Sequence, residues 1–204
     1  MRKLSFLPGC ALVLVLAGCS QPAPPAKKEA EKPPEPIGGL SAFWKMYAVA
    51  RSWDPSCEVL KMGGIPLPQV PEVRGKAAAW EATFVSSAKG KSRSYTYSVV
   101  EAEGNLHKGV FGGLEEPWSG VSGQNLTFTP LAVKVDTDAA FDTALKKAAD
   151  YEKKNPGKPI SLLLEKVKKF QDPVWRIIWG ESVGTSDFSI YIDASTGYYS
   201  ETLH

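Results

Sequence analysis

The side chains from which this chain could build chemistry are few and scattered. It carries three cysteines and two histidines. Cys10 and Cys19 stand near the start, which leaves Cys57 alone in the remainder. A zinc site needs several Cys, His or carboxylate ligands brought together, and neither His107 nor His204 has such neighbours in sequence. A hydrolase using His107 with a serine is the enzymatic alternative. Yet His-Glu-x-x-His, the zinc-hydrolase pattern, is absent, and the one Gly-x-Ser-x-Gly spacing, Gly180 to Gly184, precedes the strand-like run Phe188–Gly197 rather than the helix which that motif requires. Lys89-Gly90-Lys91-Ser92 lacks the spaced glycines of a phosphate-binding loop and reads as a hairpin turn. Glu115-Glu116, followed by Pro117-Trp118, sets an aromatic beside acids, a composition suited to a binding hot spot. The expectation is therefore no catalytic residue, no metal and no cofactor, with Trp118, Glu115 and Glu116 as candidate binding residues.

Cys19 is the exception, because of what surrounds it. Arg2 and Lys3 precede an apolar run from Phe6 to Ala17, and Leu16-Ala17-Gly18-Cys19 closes it. A charged start, a short apolar stretch and small residues before a cut form the layout of an export signal. The run is too short to span a bilayer, which takes about 20 apolar residues. The four closing residues resemble the lipobox of bacterial lipoproteins. The resemblance implies removal of residues 1–18 and acylation of Cys19, palmitate included, so that the bilayer holds the chain through this residue. Ser20, where inner-membrane retention would need Asp, implies the outer membrane facing the periplasm in a diderm host.

Processing also resets the charge. The precursor has 24 basic and 22 acidic residues. The leader removes Arg2 and Lys3 and no acid, so the mature chain is formally neutral. Neutrality gives no electrostatic reason to expect nucleic acid as a partner. Cys57 is then the only free thiol, and burial in the core is its expected state.

Residues 19–37 hold six prolines and only one large aliphatic, Ile37. Such a segment cannot repay its ordering entropy by burial. It is expected to be a disordered, extended tether.

Two helical stripes follow. Phe43, Met46, Tyr47, Ala50 and Trp53 recur at helical spacing, and Phe141, Ala144, Leu145, Ala148 and Tyr151 repeat that spacing 98 residues later. Each marks one apolar helix face. Ser41 is the expected cap of the first helix and Asp136 or Asp138 of the second; Asp54-Pro55 and Asn155-Pro156-Gly157 end them. Strand-like runs follow each helix: Cys57–Lys61, Ala79–Val85 and Tyr95–Gly104, then Ile160–Leu164, Val174–Trp179 and Phe188–Gly197. Leu106–Phe111 and Tyr198–Leu203 add one more to each half, and Val100 aligns with Ile192. Gly63 to Gly75 reads as an inserted loop, 112–126 as a loop bearing Trp118, and Leu126–Val135 as a strand. The expected fold is α+β, two fused helix-plus-antiparallel-sheet repeats over 38–125 and 126–204. Trp80, Trp175 and Trp179 are expected in the core. Asp193 should accept turn N–H groups, and Gly197 should take a positive φ. The lysines of the second half, Lys146 to Lys169, read as a solvated face.

Val174-Trp175-Arg176-Ile177 with Ile192-Asp193-Ala194-Ser195-Thr196-Gly197 resembles the PepSY family over residues 136–204. The first half has Glu101-Ala102-Glu103-Gly104 in place of the Asp-Ala-x-Thr-Gly run and resembles a diverged copy. The resemblance implies a small α+β module of exported proteins, cystatin-like in build, with an inhibitory or chaperone-like role in some members. The expected function is a membrane-anchored, non-catalytic protein- or peptide-binding or inhibitory module of the cell envelope. A structural envelope lipoprotein without a soluble ligand is the second reading.

Overall fold

The computed structural model describes residues 33–104, 106–123 and 126–204. Cys19, the leader and the tether up to Lys32 lie outside the described residues. Residues 33–204 form one compact unit.

Its elements run β1 (Ile37–Gly38), α1 (Gly39–Trp53), β2 (Glu58–Ile65), β3 (Lys76–Ala77), β4 (Ala79–Ser86), β5 (Lys91–Ser98), β6 (Gly109–Pro117), α2 (Thr137–Lys154), β7 (Ile160–Glu165), β8 (Val174–Trp179), β9 (Ser189–Asp193) and β10 (Tyr199–Leu203). Eight strands make one antiparallel sheet in the order β10-β9-β8-β7-β2-β4-β5-β6. β1 and β3 form a separate short ladder. The class is thus α+β, with two helices and an antiparallel sheet.

Strand alternation decides which face the helices cover. Trp80 pairs with Gly64, Met62 with Leu164, and Leu164 with Trp175. Residues that are paired, or two apart, share a face, so Trp80 and Trp175 lie on one side of the sheet. Both helices bury their stripes there: Phe43, Met46 and Ala50 from α1, and Phe141, Ala144 and Ala148 from α2. Phe43 stacks on Phe84 at 6.2 Å and Phe141 on Trp179 at 6.3 Å. Burying one such side chain contributes roughly 1.5–3 kcal/mol, so this aromatic layer dominates the core.

The N-termini of the two helices meet. Asp136 Oδ1 accepts from Thr137 N at 2.7 Å and from Leu40 N at 3.0 Å, and Gly39 N donates to Thr137 Oγ1 at 2.7 Å. Asp136 therefore caps both helices. Ser41, the expected cap of α1, makes no such bond; α1 starts two residues earlier, at Gly39, so Ser41 is already inside the first turn. A Cβ on Gly39 would come within 2.7 Å of Thr137 Cγ2 and 2.8 Å of Trp175 Cη2. Glycine permits this approach. Trp80 Nε1 donates to Ile37 O at 3.1 Å and Trp175 Nε1 to Val135 O at 2.8 Å. The two indoles stand edge to face, 6.2 Å apart.

Several sequence expectations shift. Pro36 is buried and Ile37 pairs with Ala77, so residues 33–37, expected in the tether, belong to the folded unit. β2 runs on through Gly63 and Gly64, which shortens the inserted loop. β6 spans Gly109–Pro117, not Leu106–Phe111, and takes up much of the expected 112–126 loop. Leu126–Val135 is not a strand: two isolated bridges and a 3₁₀ turn at Pro130–Ala132 replace it, because Pro130 has no N–H for a ladder. Trp80 pairs with Tyr97 and Trp175 with Ile192, while Val100 lies beyond the end of β5.

Candidate functional site

The residues singled out for binding do not converge. Glu115 and Glu116 are consecutive on the edge strand β6, paired with Arg93 and Ser92, so they point to opposite faces of the sheet. Glu115 turns to the helix side, where its Oε1 accepts from Trp53 Nε1 at 2.6 Å. Trp118 follows the strand, half-buried, its N–H bonded to Gly90 O at 3.0 Å in the β4–β5 turn. Neither of the two hollows described below is lined by any of the three.

The other candidates are structural in their contacts. His107 is exposed; its Nδ1 lies 3.2 Å from Glu101 Oε2 and its ring 4.8 Å from Phe111. No serine hydroxyl is bonded to it among the described residues. His204 lies 5.4 Å from Phe188. Lys89 Nζ donates to Trp53 O at 2.6 Å and caps that ring at 5.1 Å, while Lys91 and Ser92 open β5 rather than a phosphate loop. Asp193 Oδ1 accepts from Ser195 N and Thr196 N, both at 2.8 Å, and Gly197 has φ +79°. Trp80, Trp175 and Trp179 are buried. Cys57 is buried too; burial first, and the Asp54 carboxylate second, push its thiol up to about 11. A thiol held protonated in this way is a poor nucleophile. No group of three metal-ligating side chains comes together among the described residues.

Asp54, at the C-terminus of α1, is buried and accepts from Ser86 Oγ and from Ser56 N. The Ser86 bond first, and the backbone bond second, hold its carboxyl below the usual range. On the far face of the second half, Tyr191 OH donates to Glu165 Oε1 at 3.2 Å, and the Arg176 guanidinium lies 5.3 Å over the Tyr191 ring. Burial first, and Glu165 next, raise this phenol to about 12. Both clusters are closed on themselves, with their donors and acceptors satisfied.

What the fold does open is the seam between its halves. β2 and β7 pair over three residues only, Lys61–Gly63 with Leu163–Glu165. Beyond Gly63 the strands part. A cavity of about 620 Å³ lies there, bounded by Gly64, by Ile160, Ser161 and Leu162, by the loop 66–75, and by Pro36. Its walls are mainly apolar: Pro66, Leu67, Pro68 and Val70 face Ile160 and Leu162, with the charges of Glu72, Arg74 and Lys76 in the same loop region. A second hollow of about 790 Å³ shares Glu72, Arg74 and Ile160 and reaches Glu152, Lys158 and Trp179. Arg74 separates the two, paired with Glu152 at 3.3 Å and lying 5.8 Å over Phe141.

The volume of the first cavity falls in the range of ligand sites, roughly 300–1,000 Å³. Sequence reasoning marked the loop that walls it as an insertion but did not assign it a role. Its signal was the spacing Pro66, Pro68, Pro71 and Gly75, where Gly75 has φ +74° and would place a Cβ 2.6 Å from Asp138 Cα. No protein-family model, curated protein or solved structure matches this chain.

Proposed function

We propose that this chain is a lipid-anchored, non-catalytic module of the bacterial cell envelope that binds a protein or peptide segment. The observation that carries the reading is the cavity at the β2–β7 seam. Its walls are prolines and aliphatics set beside strand edges, and such surfaces recognise extended chain by backbone pairing and apolar pockets. An inhibitory role of the kind some PepSY-like modules have is one form such binding takes.

The anchor belongs to the same proposal. Leu16-Ala17-Gly18-Cys19 with Arg2-Lys3 supports cleavage before Cys19 and acylation there. Two or more acyl chains would hold the module stably on a membrane, and Ser20 favours the outer one in a diderm host. We also read the two halves as diverged copies of one PepSY-like unit. The paired bonds of Trp80 to Ile37 O and Trp175 to Val135 O support this, as does the common order of helix then four sheet strands.

The test is cross-linking of the full chain in intact cells, with mass spectrometry of the adducts. Wild type is compared with Cys19→Ser and Trp118→Ala. The expected result is one saturable polypeptide partner, lost when Cys19→Ser releases the chain from its membrane. Trp118→Ala should lower the yield only if the end of β6 contributes. Absence of any saturable partner would overturn the binding reading and favour a structural lipoprotein.

A further inference from the structure

The two ends of the β2–β7 seam differ in one respect. At one end the gap between the strands is filled by the chain itself. Phe128 N donates to Val59 O at 3.0 Å, Val59 N donates to Phe128 O at 2.9 Å, and Leu126 bridges Lys166. Residues 126–128 thus sit as a short extended insert between the start of β2 and the residue after β7, with Phe128 buried. At the other end the β2–β7 pairing also stops, after Gly63 and Leu163. There Gly64 pairs only with Trp80 on β4, and Ile160–Leu162 pair only with β8. The facing edges bound the cavity of about 620 Å³, and among the described residues no strand fills it.

The chain's own N-terminal segment reaches this gap but does not match it. Pro36 lines the cavity, and the chain outside the described residues ends just before it, at Lys32. Counting back from α1 as Leu126 and Phe128 stand back from α2 leads to Lys28 and Ala30. Neither brings an apolar side chain the size of those two. Leu67 and Ile160 are half-buried at the cavity, and Val70 and Leu162 are buried in its wall.

We infer that this gap takes an extended segment of a partner polypeptide with apolar side chains at positions i and i+2, inserted in the plane of the sheet between Gly64 and Ile160–Leu162 as residues 126–128 are at the other end. Backbone pairing supplies affinity in such an arrangement, and the alternate side chains supply specificity. The inference rests on the peptide-binding reading above and names its site and its ligand class.

The probe is a synthetic peptide of residues 124–130 of this chain, Gln-Asn-Leu-Thr-Phe-Thr-Pro, carrying a nitroxide at its N-terminus. It is titrated into the isotope-labelled full chain and read by amide line broadening. The control peptide has Ser in place of both Leu and Phe. The expected result is saturable broadening at Gly64 and Ile160–Leu162, absent with the control. Leu67→Arg, which sets a charge in the apolar wall, should weaken binding by about tenfold or more. An unchanged amide spectrum away from the loop certifies that this variant is folded. The wild-type broadening map stands independently of it.

No binding overturns the inference. So does broadening confined to Val59 and Lys166, which would mean exchange with the resident segment, or confined to the β6 edge. Shifts of residues 27–32 on Leu67→Arg without peptide would assign the gap to the chain's own segment and overturn it as well. If the cellular cross-link to a partner persists in Leu67→Arg, this site fails while the binding reading survives. If no partner is cross-linked at all, that broader reading fails instead.

Discussion

The connection after the first sheet strand is where the two halves part company. In the second half, residues 166–173 between β7 and β8 fold down onto the sheet. Phe170 meets the Tyr191 ring edge to face at 5.5 Å, Lys166 Nζ donates to Phe170 O at 2.6 Å, and Lys169 pairs with Glu201. In the first half, the longer connection from Pro66 to Ala78 pairs β3 with β1 and buries Ala77 and Ala78 only where it returns to the sheet. Its prolines fix φ and offer no N–H for a ladder, so it walls a cavity rather than filling one. The same position carries packing in one half and an open site in the other. The matched elements supply stability, and the unmatched one supplies the candidate function.

The comparison can be broken most severely at the tryptophans. Trp80→Ala and Trp175→Ala should each cost about 3–5 kcal/mol, since both indoles are fully buried and touch across the seam. Denaturant unfolding should remain a single transition in both variants, because the buried residues of the two halves form one cluster. Two separate transitions would show the halves to be energetically independent.

A smaller effect sharpens the comparison at the helix starts. Asp136→Ala should cost about 1–2 kcal/mol, because one carboxylate serves both α1 and α2. Ser41→Ala should stay within about 0.5 kcal/mol. Equal costs for the two variants, measured in the same denaturant series, would contradict the shared cap.

Each half also holds one depressed carboxyl, and their salt responses should differ. Asp54 is lowered by its Ser86 and Ser56 bonds. Asp187 is lowered to about 2, chiefly by its bond from Lys158 Nζ at 2.7 Å and next by Tyr151. A carboxyl lower in the folded state adds stability that is complete above its unfolded value, about 3.9, and is lost as pH falls through the folded value. The acid limb of stability should therefore flatten in Asp54→Asn. Asp187 is exposed, so its share should fade in about 1 M salt, while that of Asp54, buried against a neutral hydroxyl, persists. Acid titrations of thermal stability with and without salt separate the two.

The mildest test uses Cys57. Its thiol is buried and raised to about 11, so a disulfide reagent should label native protein far more slowly than protein in denaturant. Rapid native labelling would mean that the β2 end of the first half opens on its own.

Much of the fold was legible in local pattern. The stripes at Phe43 and Phe141 marked both helices, and the aromatic runs at Trp80 and Trp175 marked β4 and β8, because helix and strand periods are written in the order of apolar residues. The turn at Asp193–Gly197 was readable for the same reason: its bonds span at most five residues. The candidate site was not. Glu115 and Glu116 drew attention as neighbours in sequence, yet a strand sends neighbours to opposite faces, and finding that strand required knowing that β5 ran beside it. The cap on α1 was misplaced because Asp136 lies 96 residues from Leu40.

The sequence by itself determined the two helices, most of the strands and their apolar faces, all set by residues within a few positions of one another. Only the tertiary structure decided that the halves share one sheet, that Asp136 caps both helices, and that β2 and β7 part beyond Gly63. Those outcomes depend on contacts between segments distant in sequence, where pairing register and packing, rather than local propensity, select the arrangement.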